Sequence, residues 1–319
     1  MSGITMSNQD VTPQQLAQAQ YNAICYLLRT YPIGRLIDAN VRDSRRAKAL
    51  MHPNPLLRFG EKFYSQNDED GILLEICRRI NLSEARFIEF GIGNGLENNT
   101  LILLMSGWRG AWLGGEDLAF QLEPDSKRLV FNKSWITVEN TYQLYLESAR
   151  QLAVESFDLL SMDLDGNDFY VLRELLRRNV RPSVVVTEYN GKFPPPIRFS
   201  IDYDPNHRFN ETDYCGASLQ CFVDLLETAD YLLVGCNVTG LNAFFVERRF
   251  ASLFSDVPKD IEQLFLPADY ASVTSIGHPP SPKTILSFLQ NRNDPLKVSA
   301  VPGQGGDAPP TQKPTEEGQ

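Results

Sequence analysis

The chain has 319 residues, 42% hydrophobic and 22% charged, enough for one large domain with appendages or for two domains. Its 40 acidic against 30 basic residues give a formal net charge of -10, which leaves no diffuse basic surface for a phosphate backbone and argues against nucleic acid as a partner. The polar amino terminus, the lack of any apolar run near the ~18 residues that cross a bilayer, and five cysteines without a CxxC pair read as a cytoplasmic protein. It should have no membrane span and keep its thiols reduced.

Thr12-Pro13 pairs an N-cap with proline at the first helical position and opens an amphipathic helix to about Arg29. Residues 31 to 60 mix prolines with Arg42, Arg45, Arg46 and Lys48, which read as a solvated face. The acidic turn Asp68-Glu69-Asp70 leads into a helix ending near Ile80. Short apolar runs then alternate with helical periods. The predicted strands are Arg86 to Phe90, Gly110 to Leu113, Trp135 to Val138, Phe157 to Met162, Val184 to Thr187, Tyr231 to Val234 and Ala243 to Val246. Helices fall at Glu97 to Met105, Tyr142 to Val154, Asp168 to Arg178 and Ala217 to Ala229. Apolar strands separated by helices imply a parallel sheet covered on both faces. The short link Asn237 to Leu241 forces the last two strands to pair antiparallel. The expected fold class is α/β, a Rossmann-like, largely parallel seven-stranded sheet of class I methyltransferase outline with an antiparallel last strand and helices on both faces. The expected divisions are a helical extension over 1–60, the catalytic domain over 61–250, a carboxy-terminal extension over 251–300 and a disordered tail over 301–319, whose Pro, Gly, Gln and Glu content offers little surface to bury.

Phe87-Ile88-Glu89-Phe90-Gly91-Ile92-Gly93-Asn94-Gly95 is an apolar strand running into glycines at alternate positions before a helix. Glycine lets the backbone turn and approach a ligand, and the helix presents its first amides. The spacing GxGxG lacks the third glycine position of the dinucleotide fingerprint GxGxxG. Glu89 offers a carboxylate to an ammonium, and Glu116 and Asp117, after the second strand, suit ribose hydroxyls. Together these favour S-adenosylmethionine (SAM) over NAD, with Gly91, Gly93 and Gly95 beneath it.

Tyr64 to Gly71, Phe87 to Gly95, Gly107 to Trp112, Asp158 to Asp168 and Gly216 to Leu219 together resemble the FkbM-type, SAM-dependent methyltransferases over about Tyr64 to Val246. The resemblance implies SAM as methyl donor, a hydroxyl acceptor on a sugar, other glycan or natural product, and Gln66 and Ser65 near SAM. Gly114 stands where that family tends to carry an acid, leaving the ribose to Glu116 or Asp117.

Asp163, Asp165 and Asp168 end the fourth strand and Glu188, Tyr189 and Asn190 the fifth, where ligands of open parallel sheets sit. Oxygen donors without histidine or cysteine suit Mg²⁺ or Mn²⁺. The arrangement is similar to metal-dependent O-methyltransferases of the catechol type, and matching by position assigns Asp163, Glu188 and Asn190 to the metal. Asp165 and Asp168 fit a turn and helix cap equally well. His207 lies in the long loop Gly191 to Tyr214, expected to cover the acceptor, and is a candidate base. The reading is metal-assisted O-methylation. Its rivals are a metal-free enzyme using Asp163 or His207 as base and a non-catalytic SAM-binding scaffold. A homo-oligomer is left open.

Overall fold

The computed structural model describes residues 20, 23, 32–122 and 128–269. Apart from residues 20 and 23, both helical, the predicted helix to Arg29 lies outside these, as does the tail 301–319. The strands are β1 (Arg86–Phe90), β2 (Arg109–Gly114), β3 (Leu129–Lys133), β4 (Leu159–Met162), β5 (Val184–Glu188), β6 (Tyr231–Cys236) and β7 (Asn242–Glu247), and all but β3 are near-continuous apolar stretches. They join in one sheet of order β3-β2-β1-β4-β5-β7-β6. The pairs β1·β2, β1·β4, β2·β3 and β4·β5 are parallel, whereas β7 runs antiparallel to both β5 and β6. This is the class I methyltransferase fold, a Rossmann-like sheet reversed only at β7.

The helices are α1 (Pro32–Met51), α2 (Glu69–Arg79), α3 (Leu101–Met105), α4 (Thr141–Leu152), α5 (Asp168–Arg177), α6 (Leu219–Glu227) and α7 (Ile261–Leu264). Val184, Val185 and Val186 are fully buried, so β5 is covered on both faces, as a central parallel strand must be. Each such side chain contributes about 1.5–3 kcal/mol by leaving water. Phe87, Trp112, Phe222 and Phe245 fill the layers between sheet and helices. Among the described residues no helix is long and apolar enough to cross a membrane.

Two local expectations change. The third strand is Leu129–Lys133, while Trp135 to Val138 is a loop. β3 is an edge strand with mostly half-buried residues, so it lacks the apolar run by which the others are recognised. The basic cluster is more than a solvated face: Arg45 donates to Asn67 Oδ1 at 3.3 Å and Lys48 to the Val238 carbonyl at 3.1 Å, tying α1 to the sheet edge. Residues beyond 250 also return to the fold, with Tyr189 Oη donating to the Leu266 carbonyl at 2.6 Å.

Candidate functional site

The carboxyl ends of β1, β2, β4 and β5 meet at one edge, and the glycine loop is folded onto it. Gly91 N and Ile92 N both donate to the Leu113 carbonyl, at 2.8 and 3.1 Å. Gly91 has φ +89°, and a Cβ there would lie 1.5 Å from the Asp163 carbonyl oxygen, so only glycine fits. A Cβ at Gly114 would lie 2.1 Å from the Ile92 oxygen. The loop occupies the space that any side chain at this position would need. A Cβ at Gly93 would meet nothing within 4 Å. Gly95 faces Leu118 and Phe120 rather than the cavity.

Above the loop lie two adjoining cavities. The first, about 230 Å³, is lined by Gln66, Glu89, Gly91, Gly93, Glu116 and Asp163 among others. The second, about 510 Å³, shares Gly91, Gly93, Glu116 and Asp163 and adds Trp135, Ile136, Asp165, His207 and Arg208. The ionisable side chains on the first are Glu89, Glu97, Glu116 and Asp163, with no lysine, arginine or histidine among its described lining residues.

Glu89 is buried and heavily engaged. Its Oε1 accepts from Asn99 N at 2.9 Å and Ser161 Oγ at 3.4 Å, and its Oε2 accepts from Thr100 N at 3.0 Å and Thr100 Oγ1 at 2.5 Å. It therefore closes the glycine loop onto the turn before α3, and burial holds its carboxyl above the usual range. Glu116 and Asp117 separate clearly. Glu116 borders both cavities, whereas Asp117 lies outside them and pairs with Lys133 at 2.7 Å.

Asp163 and Glu188 end the neighbouring strands β4 and β5. Burial first, then the charges of Asp165 and Asp168, pushes Asp163 well above the carboxylate range; burial and then Asp163 does the same to Glu188. Carboxylate oxygens of Asp163, Asp165 and Glu188 lie within 4.8 Å of one another. Asp165 takes a left-handed backbone at φ +55° in the turn after β4. Asn190, expected to join Asp163 and Glu188, is engaged with the loop that follows β5. Its Nδ2 donates to the Asp213 and Cys215 carbonyls, each at 3.0 Å, and its Oδ1 accepts from Lys192 N at 3.2 Å, so the amide is spent on the following loop. Asp168, the first residue of α5, accepts from Leu164 N at 2.6 Å and Gly166 N at 3.0 Å, so it fastens the turn after β4 rather than capping the helix, with burial raising it to about 6.

His207 is brought to the site. Its ring packs over Gly166, where a Cβ would lie 2.2 Å from His207 Cδ2. The loop that carries it is pinned by Trp135 Nε1 donating to the Pro205 carbonyl at 2.7 Å and by the Arg208 guanidinium 4.7 Å above the Trp135 ring. It thus walls the cavity on the β3 side. Sequence reasoning passed over Trp135 and Ile136 as wall residues, together with Asn98 and Asn242, which line the first cavity.

No family model matches the chain, and no curated protein matches it. Solved structures with a similar fold include the MycE methyltransferase of mycinamycin biosynthesis in complex with Mg, SAH and mycinamycin VI, at 14% identity and TM-score 0.29, over 57% of this chain and 53% of that one. This chain thus spans about half the length of MycE. The N-terminal domain of EvdMO1, in the presence of SAH and D-fucose, aligns at 13% identity and TM-score 0.34 over 65% of this chain and 97% of that domain. The [4+2]-cyclase SpnF aligns at 12% identity and TM-score 0.33 over 82% and 92%. Likenesses this remote carry no functional argument, and a cyclase among them illustrates that fold does not fix reaction.

Proposed function

We propose that the protein is a SAM-dependent methyltransferase acting on a hydroxyl of a sugar or natural-product acceptor with the help of a divalent cation. The observation that carries this reading is the acidic lining of the first cavity, where Glu89, Glu97, Glu116 and Asp163 border the space above the glycine loop with no basic residue among them. SAM brings a sulfonium and an ammonium, which such a wall attracts. A dinucleotide brings a pyrophosphate, which it repels.

Each residue then has a defined task. Gly93 leaves its space open for the ligand, while Gly91 lets the loop lie against Asp163. Glu116, at the cavity rim, takes the ribose hydroxyls. Gln66 closes the cavity from the segment before α2. Asp163, Asp165 and Glu188 would hold the cation, and three carboxylate oxygens are the hard donors that Mg²⁺ or Mn²⁺ prefers. When bound, the cation lowers the pKa of an acceptor hydroxyl. The acceptor oxygen attacks the methyl carbon, the carbon–sulfur bond breaks, and sulfur keeps the electron pair as the thioether of S-adenosylhomocysteine (SAH). His207, on the wall of the second cavity beside Asp165, is placed to take the hydroxyl proton. Alignment of oxygen, methyl and sulfur is the fold's main contribution.

The test is transfer itself. Purified protein and methyl-labelled SAM are incubated with metabolite extracts, and label should appear in a small hydroxylated product. Label recovered only in SAM, with every extract and divalent ion tried, would refute the reading.

A further inference from the structure

The segment Tyr64 to Gly71 contains three consecutive acids, and each secures a different piece of chain. Asp70 Oδ2 accepts from the amides of Phe63, Tyr64 and Ser65 at 2.7, 2.5 and 3.0 Å. Asp68 Oδ2 accepts from Val238 N at 2.9 Å. Glu69 Oε1 accepts from Asn237 Nδ2 at 2.7 Å and Asn242 Nδ2 at 3.1 Å, and its Oε2 from Asn67 N at 2.8 Å. An ionised carboxylate only accepts, so Glu69 decides which way the Asn242 amide faces. The nitrogen is turned to Glu69, and the oxygen is turned away from it.

Asn242 opens β7 opposite Glu188, lines the first cavity and is 5% exposed. Its Oδ1 is buried without a hydrogen-bond partner, a condition proteins rarely leave unmet. Asn98, 6% exposed, lines the same cavity, and its Nδ2 is likewise buried and unpartnered. The lining of this cavity therefore holds an unmet acceptor and an unmet donor. An amino-acid zwitterion carries their complements, an ammonium and a carboxylate.

We infer that Asn242 Oδ1 and Asn98 Nδ2 read the amino-acid end of SAM, with Glu69 as the positioning residue behind Asn242. The inference rests on the SAM reading above and deepens it. Of SAM's two cationic centres only the ammonium has N–H groups to donate. The ribose hydroxyls and the adenine amino group are the other donors, but the ribose is assigned to Glu116, which follows β2, adenine sits on the far side of the ribose from the sulfur, and β7 is separated from β2 by β1, β4 and β5. The amino-acid end is thus recognised by a strand-seven asparagine oriented by the acid that opens α2.

The test compares SAH with 5′-methylthioadenosine, which keeps the adenosine and the sulfur but lacks the amino-acid end. By calorimetry, N242A and N98A should each weaken SAH roughly 10- to 100-fold, the worth of a hydrogen bond to a charged group, and leave 5′-methylthioadenosine within about twofold of wild type. Equal loss of both ligands, or loss of neither while wild type binds SAH, overturns the inference. Wild type binding neither ligand would instead overturn the SAM reading on which it rests. Should N242A fail to fold, wild type titrated with the SAH analogue lacking the α-amino group decides: binding as tight as SAH overturns the proposal, and binding at least about tenfold weaker supports it.

Discussion

Gly91 and Gly93 stand two residues apart in one loop, yet substitution should affect them in opposite ways. At Gly91 an alanine Cβ would lie 1.5 Å from the Asp163 carbonyl oxygen, on a backbone at φ +89°. The left-handed conformation alone costs about 1–2 kcal/mol. Relief of the overlap must also pull apart the contact between the glycine loop and the turn after β4, which places G91A among the exceptional substitutions of about 4 kcal/mol or more. For a domain of this size that is a fall of roughly 10 °C in the thermal midpoint. At Gly93 a Cβ meets nothing within 4 Å, so G93V should stay within about 0.5 kcal/mol of wild type. Its side chain instead enters a cavity of about 230 Å³ and should abolish SAH binding. Thermal unfolding and calorimetry on the two variants check both halves. G91A melting with wild type, or G93V binding SAH at wild-type affinity, would refute the placement of the loop.

Three further outcomes are expected. Chelation should abolish turnover and Mg²⁺ or Mn²⁺ restore it; D165N should lose the response to metal while sparing SAH binding, and full activity in excess chelator would leave the proton to Asp163 or His207 without a cation. Burial, reinforced by Glu69, raises Asp68 from 3.8 to about 7, so the folded state holds a proton that the unfolded chain releases as pH climbs between those values. Stability falls across that window, and D68N, whose oxygen can keep the Val238 bond, should be more stable than wild type at pH 8 by up to about 4 kcal/mol, with the gain gone near pH 4; a difference independent of pH would contradict this. E116A should weaken SAH, while D117A, which loses only an exposed ion pair with Lys133, should not; the reverse order in calorimetry would exchange their roles.

Much of the sheet was legible because its central strands are buried on both faces. β1 spans Arg86–Phe90 as read, and β5 extends its reading by one residue, to Glu188. β3 escaped because an edge strand ending in Asn132 and Lys133 carries less apolar signal than the loop at Trp135, whose ring serves the Arg208 stack instead. At the site, acids at strand ends were readable from position alone. Whether an amide there stays available was not, since Asn190 is absorbed by carbonyls 23 and 25 residues further along. Asp165 comes near Asp163 and Glu188 through a turn geometry that local sequence suits equally to a cap. Glu89 lines the first cavity, but its grip on Asn99 and Thr100 is a tertiary contact that no local pattern announces. Asn242 carried one faint signal, an asparagine opening a strand just after a short hairpin link.

The most direct test of the central claim is a calorimetric titration of the purified protein with SAH and, separately, with NAD. The acid-lined cavity predicts saturable heat with SAH at a stoichiometry of one per chain and none with NAD. Heat with NAD and none with SAH would contradict the account at its base.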